Sequence, residues 1–157
     1  MIKNNLFLIF ILFFLTTNCG FKVLDTSQAN NFSIKSIFSS GEKRINYKIK
    51  NYLIINTKKN SQSNLIVNLS TKKNKTIKEK NIKNEVSKYS IELTAFVDFS
   101  LLEKNLQKSF SLTAKESYIV GGNYSTTLTN EKKAIEIIVD KIAEDILERI
   151  GALLNDI

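Results

Sequence analysis

The feature that most constrains the fold is a long stretch in which apolar and polar residues alternate. Apolar side chains occupy every second position there, at Tyr89, Ile91, Leu93, Ala95, Val97 and Phe99. Successive side chains of a strand point to opposite faces, so this period of two predicts a strand with one buried face. The intervening positions carry Ser90, Glu92, Thr94 and Asp98. Such alternation favours an antiparallel sheet whose other face is wet.

Three shorter segments predict further strands. Phe32–Ile37 alternates in the same way, and Leu65, Val67 and Leu69 mark a second strand. Phe110, Leu112 and Ala114 mark a fourth strand, which the turn residues Gly121-Gly122-Asn123 follow. The almost wholly polar residues 71–84 predict either a hairpin connection or an exposed extension of the strands.

Two segments have apolar residues at helical spacing. Glu42–Ile55 predicts an amphipathic helix with Arg44, Lys48 and Lys50 on its wet face. A second helix is predicted from an N-cap at Thr129 or Asn130 towards Leu154. Its apolar stripe comprises Ile135, Ile138, Ile142, Ile146, Ile150 and Leu153. The predicted order β-α-β-β-β-α indicates an α+β two-layer sandwich, with a mostly antiparallel four-stranded sheet and both helices on one face.

The N-terminus has the organisation of a secretory signal peptide. Lys3 supplies a positive charge, and Leu6–Leu15 is an unbroken apolar run. About ten helical residues span roughly 15 Å, half of the ~30 Å hydrocarbon core of a bilayer, so this run is too short for a transmembrane anchor. A buried core helix is the alternative, but an apolar run behind a lysine at the extreme N-terminus is typical of a signal peptide.

Cys19 is the only cysteine, so no disulfide can form within the chain. An odd cysteine in a secreted protein requires another partner or a modification. The residues before Cys19 resemble a lipobox, with Asn18 where glycine or alanine is usual. We predict a lipoprotein signal peptide over 1–18, a lipidated N-terminus and tether over 19–31, and one periplasmic domain over 32–157. Two or three acyl chains on Cys19 suffice for stable membrane anchoring.

The composition argues against catalysis. The chain contains no histidine, which removes the usual general base at neutral pH and the commonest zinc ligand. Gly121-Gly122 also lacks the lysine of a phosphate-binding loop. We therefore predict a protein that is not an enzyme and that has no cofactor and no metal. A lipid-tethered hydrolase with a lysine-assisted serine is the remaining enzymatic alternative, although no motif nominates its residues.

A lysine-rich run follows the second predicted strand and comprises Lys72, Lys73, Lys75, Lys78, Lys80 and Lys83. One interpretation is a solvated hairpin in a chain whose coding favours lysine and asparagine, which accounts for part of its net charge of +8. The other is a weak anion-binding or lipopolysaccharide-binding surface, because lysine binds phosphate as a point charge. Nucleic acid is not an expected partner, since no aromatic residues interleave with these lysines.

Two segments resemble one family, the LPS-assembly lipoprotein LptE. The predicted mature N-terminus Cys19-Gly20-Phe21-Lys22-Val23-Leu24 is similar to that of the family except for Val23 in place of proline. The segment from Tyr124 to Arg149 is similar to the family's closing helix, in which an alanine and a late arginine recur. The order of predicted elements also fits the family over most of the mature chain.

This resemblance implies a non-enzymatic role at the outer membrane. Such a lipoprotein lies inside or against the large outer-membrane barrel LptD, supports its assembly, and helps lipopolysaccharide to reach the outer leaflet. Gly20 after the cysteine favours the outer membrane, because aspartate there resembles an inner-membrane retention signal. The alternative from a different class is an auxiliary periplasmic lipoprotein of an ABC-type transport or secretion system.

Replacing the cysteine tests lipid attachment directly. We expect Cys19→Ala to leave the fold intact and to accumulate as uncleaved precursor in the inner membrane, because cleavage follows acylation of the sulfur. Membrane fractionation with intact-mass measurement checks this outcome. Normal processing and outer-membrane recovery of the variant would refute lipidation at Cys19.

Overall fold

The computed structural model describes residues 32–59, 61, 63–101 and 103–155. Cys19, the predicted signal peptide and the predicted tether lie outside the described residues. Six elements follow one another along the chain, in the predicted order, and they are β1 (Phe32–Gly41), α1 (Lys43–Ile55), β2 (Ser63–Lys80), β3 (Val86–Leu101), β4 (Leu106–Ile119) and α2 (Tyr124–Asn155).

The four strands form one sheet in the order β1-β2-β3-β4. β2 pairs with β3 and β3 with β4 in antiparallel fashion, whereas β1 runs parallel to β2. The parallel pair follows from the connection, because α1 carries the chain back across the sheet between these two strands. The sheet is therefore mixed and mostly antiparallel, which confirms the predicted fold class.

The core lies between one face of the sheet and the two helices. The sheet contributes buried side chains at every second position, chiefly Leu65, Val67, Leu69, Ile91, Leu93, Ala95, Val97, Phe99, Leu101 and Ala114. The helices contribute Ile45, Ile49, Leu53, Ala134, Ile138, Ile142, Ile146 and Ile150. The opposite face of the sheet carries exposed polar groups such as Asn68, Lys72 and Asn74. This arrangement is the predicted two-layer sandwich, although Ser90, which was predicted on the wet face, is only 3% exposed.

β2 and β3 form a long hairpin. Their pairing runs from Leu65 opposite Leu101 to Lys80 opposite Val86. The polar residues that follow Leu69 are therefore mainly an extension of the strands, one of the two predicted alternatives. The turn is held by Asn81, whose Oδ1 accepts hydrogen bonds from the backbone N–H groups of Lys83 at 2.9 Å and Glu85 at 3.0 Å.

The predicted start of the second helix is wrong. α2 begins at Tyr124, and its N-cap is Asn123, whose Oδ1 accepts a hydrogen bond from the N–H of Thr126 at 2.8 Å. Thr129 instead donates to the carbonyl of Ser125 one turn earlier, at 3.0 Å. Asn130 donates to the carbonyl of Ile119 at 3.0 Å and so ties the helix to the end of β4. The first two turns are polar and mostly exposed, so the apolar stripe begins later than the helix does.

This correction predicts which side chain stabilises the helix end. We expect Asn123→Ala to lower the free energy of unfolding by about 1 kcal/mol, because it removes the acceptor for an N-terminal N–H group. Thr129→Ala is the matched control on the same helix and should change that free energy by less than ~0.5 kcal/mol. Urea denaturation followed by circular dichroism measures both. The reverse ranking would contradict the N-cap assignment.

Candidate anion-binding surface

The structure distributes the six lysines over different surfaces. Five of them lie on the second half of β2, and Lys83 lies in the turn that follows. Because side chains alternate along a strand, Lys73 and Lys75 point to the helix side of the sheet and Lys72 points to the open side. The six side chains therefore do not form one site. Their proposed role in binding anions stays a prediction, and their surroundings differ from one lysine to the next.

Lys75 is the most extensively bonded of the six. Its Nζ lies 2.8 Å from Glu131 Oε2 on α2, 4.4 Å from the ring centroid of Tyr89 and 5.3 Å from that of Tyr118. Tyr118 Oη donates a 2.8 Å hydrogen bond to the same carboxylate oxygen, and the two tyrosine rings stack with centroids 5.6 Å apart. This cluster connects β2, β3 and β4 to the N-terminal third of α2, so Lys75 has a structural role.

Ionisation in this cluster follows the hydrogen bonds. Partial burial by itself raises the pKa of Glu131, but the hydrogen bonds from Lys75 and Tyr118 and the charge of Lys75 hold that pKa below its ordinary value. Burial lowers the pKa of Lys75, and the bond to Glu131 more than offsets this effect, so the pKa of Lys75 is raised. Burial also raises the pKa of Tyr118, which keeps its hydroxyl protonated as a donor. The charged pair is thus the stable form at neutral pH.

The lysines nearest the turn are solvated. Lys78 donates to Ser117 Oγ at 3.0 Å, and Lys80 donates to Asn84 Oδ1 at 3.0 Å. Lys83 is exposed beside Ile82, an apolar side chain that is fully exposed. None of these three lysines forms an ion pair with the acidic side chains of the described chain. Their charges are therefore open to anions in the surroundings.

Lys73 has a different environment, because it faces the helix layer and is half-buried. It lines a cleft of about 250 Å³ together with Arg44 and Lys48 of α1 and Lys132 of α2. Sequence reasoning placed Arg44 and Lys48 on the wet face of the first helix, and it did not nominate Lys132. No local pattern could show that these side chains meet Lys73, because they come from three elements that are far apart in the sequence.

The described part of the chain offers neither a cluster of metal ligands nor a membrane-spanning helix. Among the residues that the structure describes, no group of three or more histidine, cysteine, aspartate or glutamate side chains is placed to hold a metal ion. In that same part of the chain, no helix combines the length and the apolar character needed to cross a bilayer.

Solved structures identify the fold. The fold is similar to that of a candidate lipoprotein from Caulobacter crescentus CB15, with a TM-score of 0.56 and 9% sequence identity. The match covers 83% of this chain and 95% of that protein. Rare lipoprotein B from Shewanella oneidensis covers 79% and 94%, with a TM-score of 0.51 and 15% identity. Lipoprotein B from Nitrosomonas europaea covers 79% and 85%, with a TM-score of 0.55 and 12% identity. The chain shares the fold of these proteins.

No family model matches the sequence, and no curated protein matches it either. The sequence identities to the three structures are low, so the comparison establishes the arrangement of helices and strands and not the activity.

The Glu131 cluster predicts a pH-dependent stability. We expect Glu131→Gln to lower the free energy of unfolding at pH 7 by about 1 kcal/mol, because the ion pair with Lys75 is lost. The folded-state pKa of Glu131 lies below its ordinary value of 4.5. The contribution of the carboxylate is therefore complete above that value and is lost as the pH falls through the folded-state pKa.

The difference between wild type and Glu131→Gln should accordingly shrink in acid, which chemical denaturation at a series of pH values measures. Glu136→Gln is the control, since Glu136 also pairs with a lysine, at 2.9 Å, but both side chains are about half exposed. We expect a smaller loss for this control. A Glu131→Gln deficit that persists undiminished at about pH 3 would contradict the assignment.

Proposed function

We propose that this protein is an outer-membrane lipoprotein of the LptE type, anchored by acyl chains on Cys19. In this proposal the folded domain faces the periplasm or the lumen of an LptD-like barrel, supports assembly of that barrel, and helps lipopolysaccharide to reach the outer leaflet. The observation that carries the proposal is the fold, which rare lipoprotein B shares over 79% of this chain and 94% of its own. The Cys19-Gly20-Phe21 start agrees with it.

The position of β1 is compatible with a short lipid tether. Phe32, the first residue of β1, is 1% exposed, so β1 belongs to the core from its first residue. Cys19 and Phe32 are 13 positions apart in the sequence, so the distance between them is at most roughly 45 Å. A domain tethered in this way stays beside the membrane surface and can still turn towards a partner.

The free sheet edges supply a surface for a barrel protein. β4 (Leu106–Ile119) pairs with β3 on one side, and no other described strand pairs with its outer side. The outward backbone groups of such an edge require water or a partner strand, so a protein can dock there through main-chain hydrogen bonds. Two aromatic side chains also stand exposed on the open sheet face, Phe38 at 62% and Phe96 at 49%.

The end of the hairpin is the part of the lysine run that suits lipopolysaccharide. Lys78, Lys80 and Lys83 have no acidic partner among the described residues. Lysine ammonium groups bind phosphate oxygens without strict geometry, and phosphate groups decorate lipid A. We assign these three lysines, rather than the bonded Lys75, to that contact.

Purification from native membranes tests the barrel partnership. We expect the chain, tagged at its C-terminus and extracted with a mild detergent, to co-purify with a large outer-membrane barrel that mass spectrometry identifies. Another outer-membrane lipoprotein with the same tag is the control and should not recover the barrel. Recovery of no barrel with the wild-type chain would overturn the proposal. Recovery of an ABC transporter instead would favour the auxiliary-lipoprotein alternative.

A further inference from the structure

A basic cleft lies between the two helices and the middle of β2. It has a volume of about 250 Å³, and its apolar wall is formed by Ile45 of α1 and Ile135 of α2. Basic side chains from three elements converge on it, namely Arg44, Lys48, Lys73 and Lys132. Glu42 and Glu136 are its two acidic residues. The cleft therefore holds an excess of two positive charges.

One ion pair lies within the cleft, and it involves one of the four basic side chains. Lys48 Nζ lies 2.9 Å from Glu136 Oε1, so these two charges neutralise one another. Arg44, Lys73 and Lys132 lie in no ion pair of the described chain, although the charge of Lys73 helps to lower the pKa of Glu131 and that of Lys132 helps to lower the pKa of Glu136. Glu42 is the remaining carboxylate, and its side chain does not cap α1. The N-terminal end of α1 opens on the same cleft and adds the positive end of its dipole.

The position of Lys73 is unusual for a lysine. It stands on the helix side of β2, in line with the buried Leu69 and Thr71, and it pairs with Leu93, which is 1% exposed. Taking part of an ammonium group out of water costs stability unless an anion lies close by. Lys75 on the same side is bonded to Glu131 at 2.8 Å, whereas Lys73 acts on that carboxylate through its charge and without a contact. A bound anion would compensate for this cost.

We propose that the cleft between α1, β2 and α2 is a binding site for a phosphate monoester group, held by Arg44, Lys73 and Lys132. This inference does not depend on the proposed function. It concerns a site on the helix side of the sheet, away from the lysines at the end of the hairpin.

A phosphate monoester matches the charge and the size of the cleft. It carries a charge of about −1.5 to −2 at pH 7, which neutralises an excess of two cations. Arg44 supplies a planar fork that binds two phosphate oxygens, while Lys73 and Lys132 act as point charges. The cleft volume corresponds to roughly eight waters, at about 30 Å³ each, so it accommodates the phosphate group with a small attached portion. Ile45 and Ile135 suit an apolar attachment.

Calorimetric titration of the full chain in a non-ionic detergent tests the site. Phenyl phosphate is the soluble probe, and dihexanoyl phosphatidic acid is the lipid probe. Dihexanoyl phosphatidylglycerol, a diester, and sulfate are the control anions. We expect both monoesters to bind more tightly than the diester, which carries a smaller charge, and more tightly than sulfate, which has no apolar portion to contact Ile45 and Ile135. Their binding should weaken below about pH 6, where the second phosphate proton returns. Equal affinity for monoester, diester and sulfate would overturn the proposal.

Paired substitutions separate the cleft from general surface charge. Lys73→Gln and Lys132→Gln should each weaken phenyl phosphate binding by about tenfold, the loss of one charge-assisted hydrogen bond. Lys72→Gln and Lys133→Gln remove the same charge from adjacent positions that do not line the cleft, and they should change affinity by less than about twofold. Equal effects of Lys72→Gln and Lys73→Gln would contradict the site.

A further variant distinguishes binding from folding. Lys73→Met keeps the length of the side chain and removes its charge, so we expect the free energy of unfolding to be unchanged or raised while phosphate binding falls about tenfold. Retained binding in a folded Lys73→Met protein would overturn the proposal.

The two probes also separate the sources of the phosphate. Lys73-dependent binding of dihexanoyl phosphatidic acid, tighter than that of phenyl phosphate, supports a lipid headgroup. Equal or weaker binding of the lipid supports a soluble phosphorylated compound. Failure of both probes would refute the site and would leave the barrel partnership untouched, because that partnership is tested by co-purification.

Discussion

The structure depends on the contact between the helix side of β3 and the apolar stripe of α2. Alternate side chains of β3 from Ile91 to Leu101 are at most 3% exposed, and Ile138, Ile142, Ile146 and Ile150 of α2 are at most 2% exposed. Burial of each large apolar side chain contributes about 1.5–3 kcal/mol, so this layer supplies much of the favourable free energy of folding. β2 and β4 pair with β3 on either side, and α1 covers the side chains of β2 that α2 does not reach.

The end of this apolar layer explains the behaviour of the lysines on β2. Leu65, Val67 and Leu69 point into the core, and the same row of positions then continues with Thr71, Lys73 and Lys75. The row becomes polar from Thr71 onward, and its residues pass from buried at Thr71 to exposed at Lys75. Lys75 meets Glu131 there and is bonded, whereas Lys73 meets Arg44, Lys48 and Lys132. One strand face thus carries a lysine that is bonded to α2 next to a lysine that lies in no ion pair of the described chain.

The strands and helices were predictable to the extent that they bury a regular stripe. The alternation in β3 and the helical stripe of α2 specify which residues face the core, and the structure confirms them. The sequence did not decide how far β2 extends. Its second half is held by backbone hydrogen bonds, and these leave no alternation of apolar and polar residues that could be read from a lysine-rich segment. The predicted start of α2 was wrong, because the side chains of Asn123, Thr129 and Asn130 can all cap a helix and the sequence does not distinguish between them. In the structure Asn130 lies inside the helix and donates to the carbonyl of Ile119 at the end of β4. Asn123, the earliest of the three, is the residue that caps the helix.

The sequence by itself determined the order of elements, the layering and the one cysteine available for a lipid anchor. It determined them because hydrophobic periodicity and a single cysteine are properties of short segments. Only the tertiary structure decided which of the many basic residues lie together. Arg44, Lys73 and Lys132 belong to three different elements, and their proximity follows from how the two helices pack across the sheet. Successive side chains of a strand point to opposite faces of the sheet, so a run of charges along one strand is split between two surfaces. A site for an anion requires charges that packing brings together from distant segments.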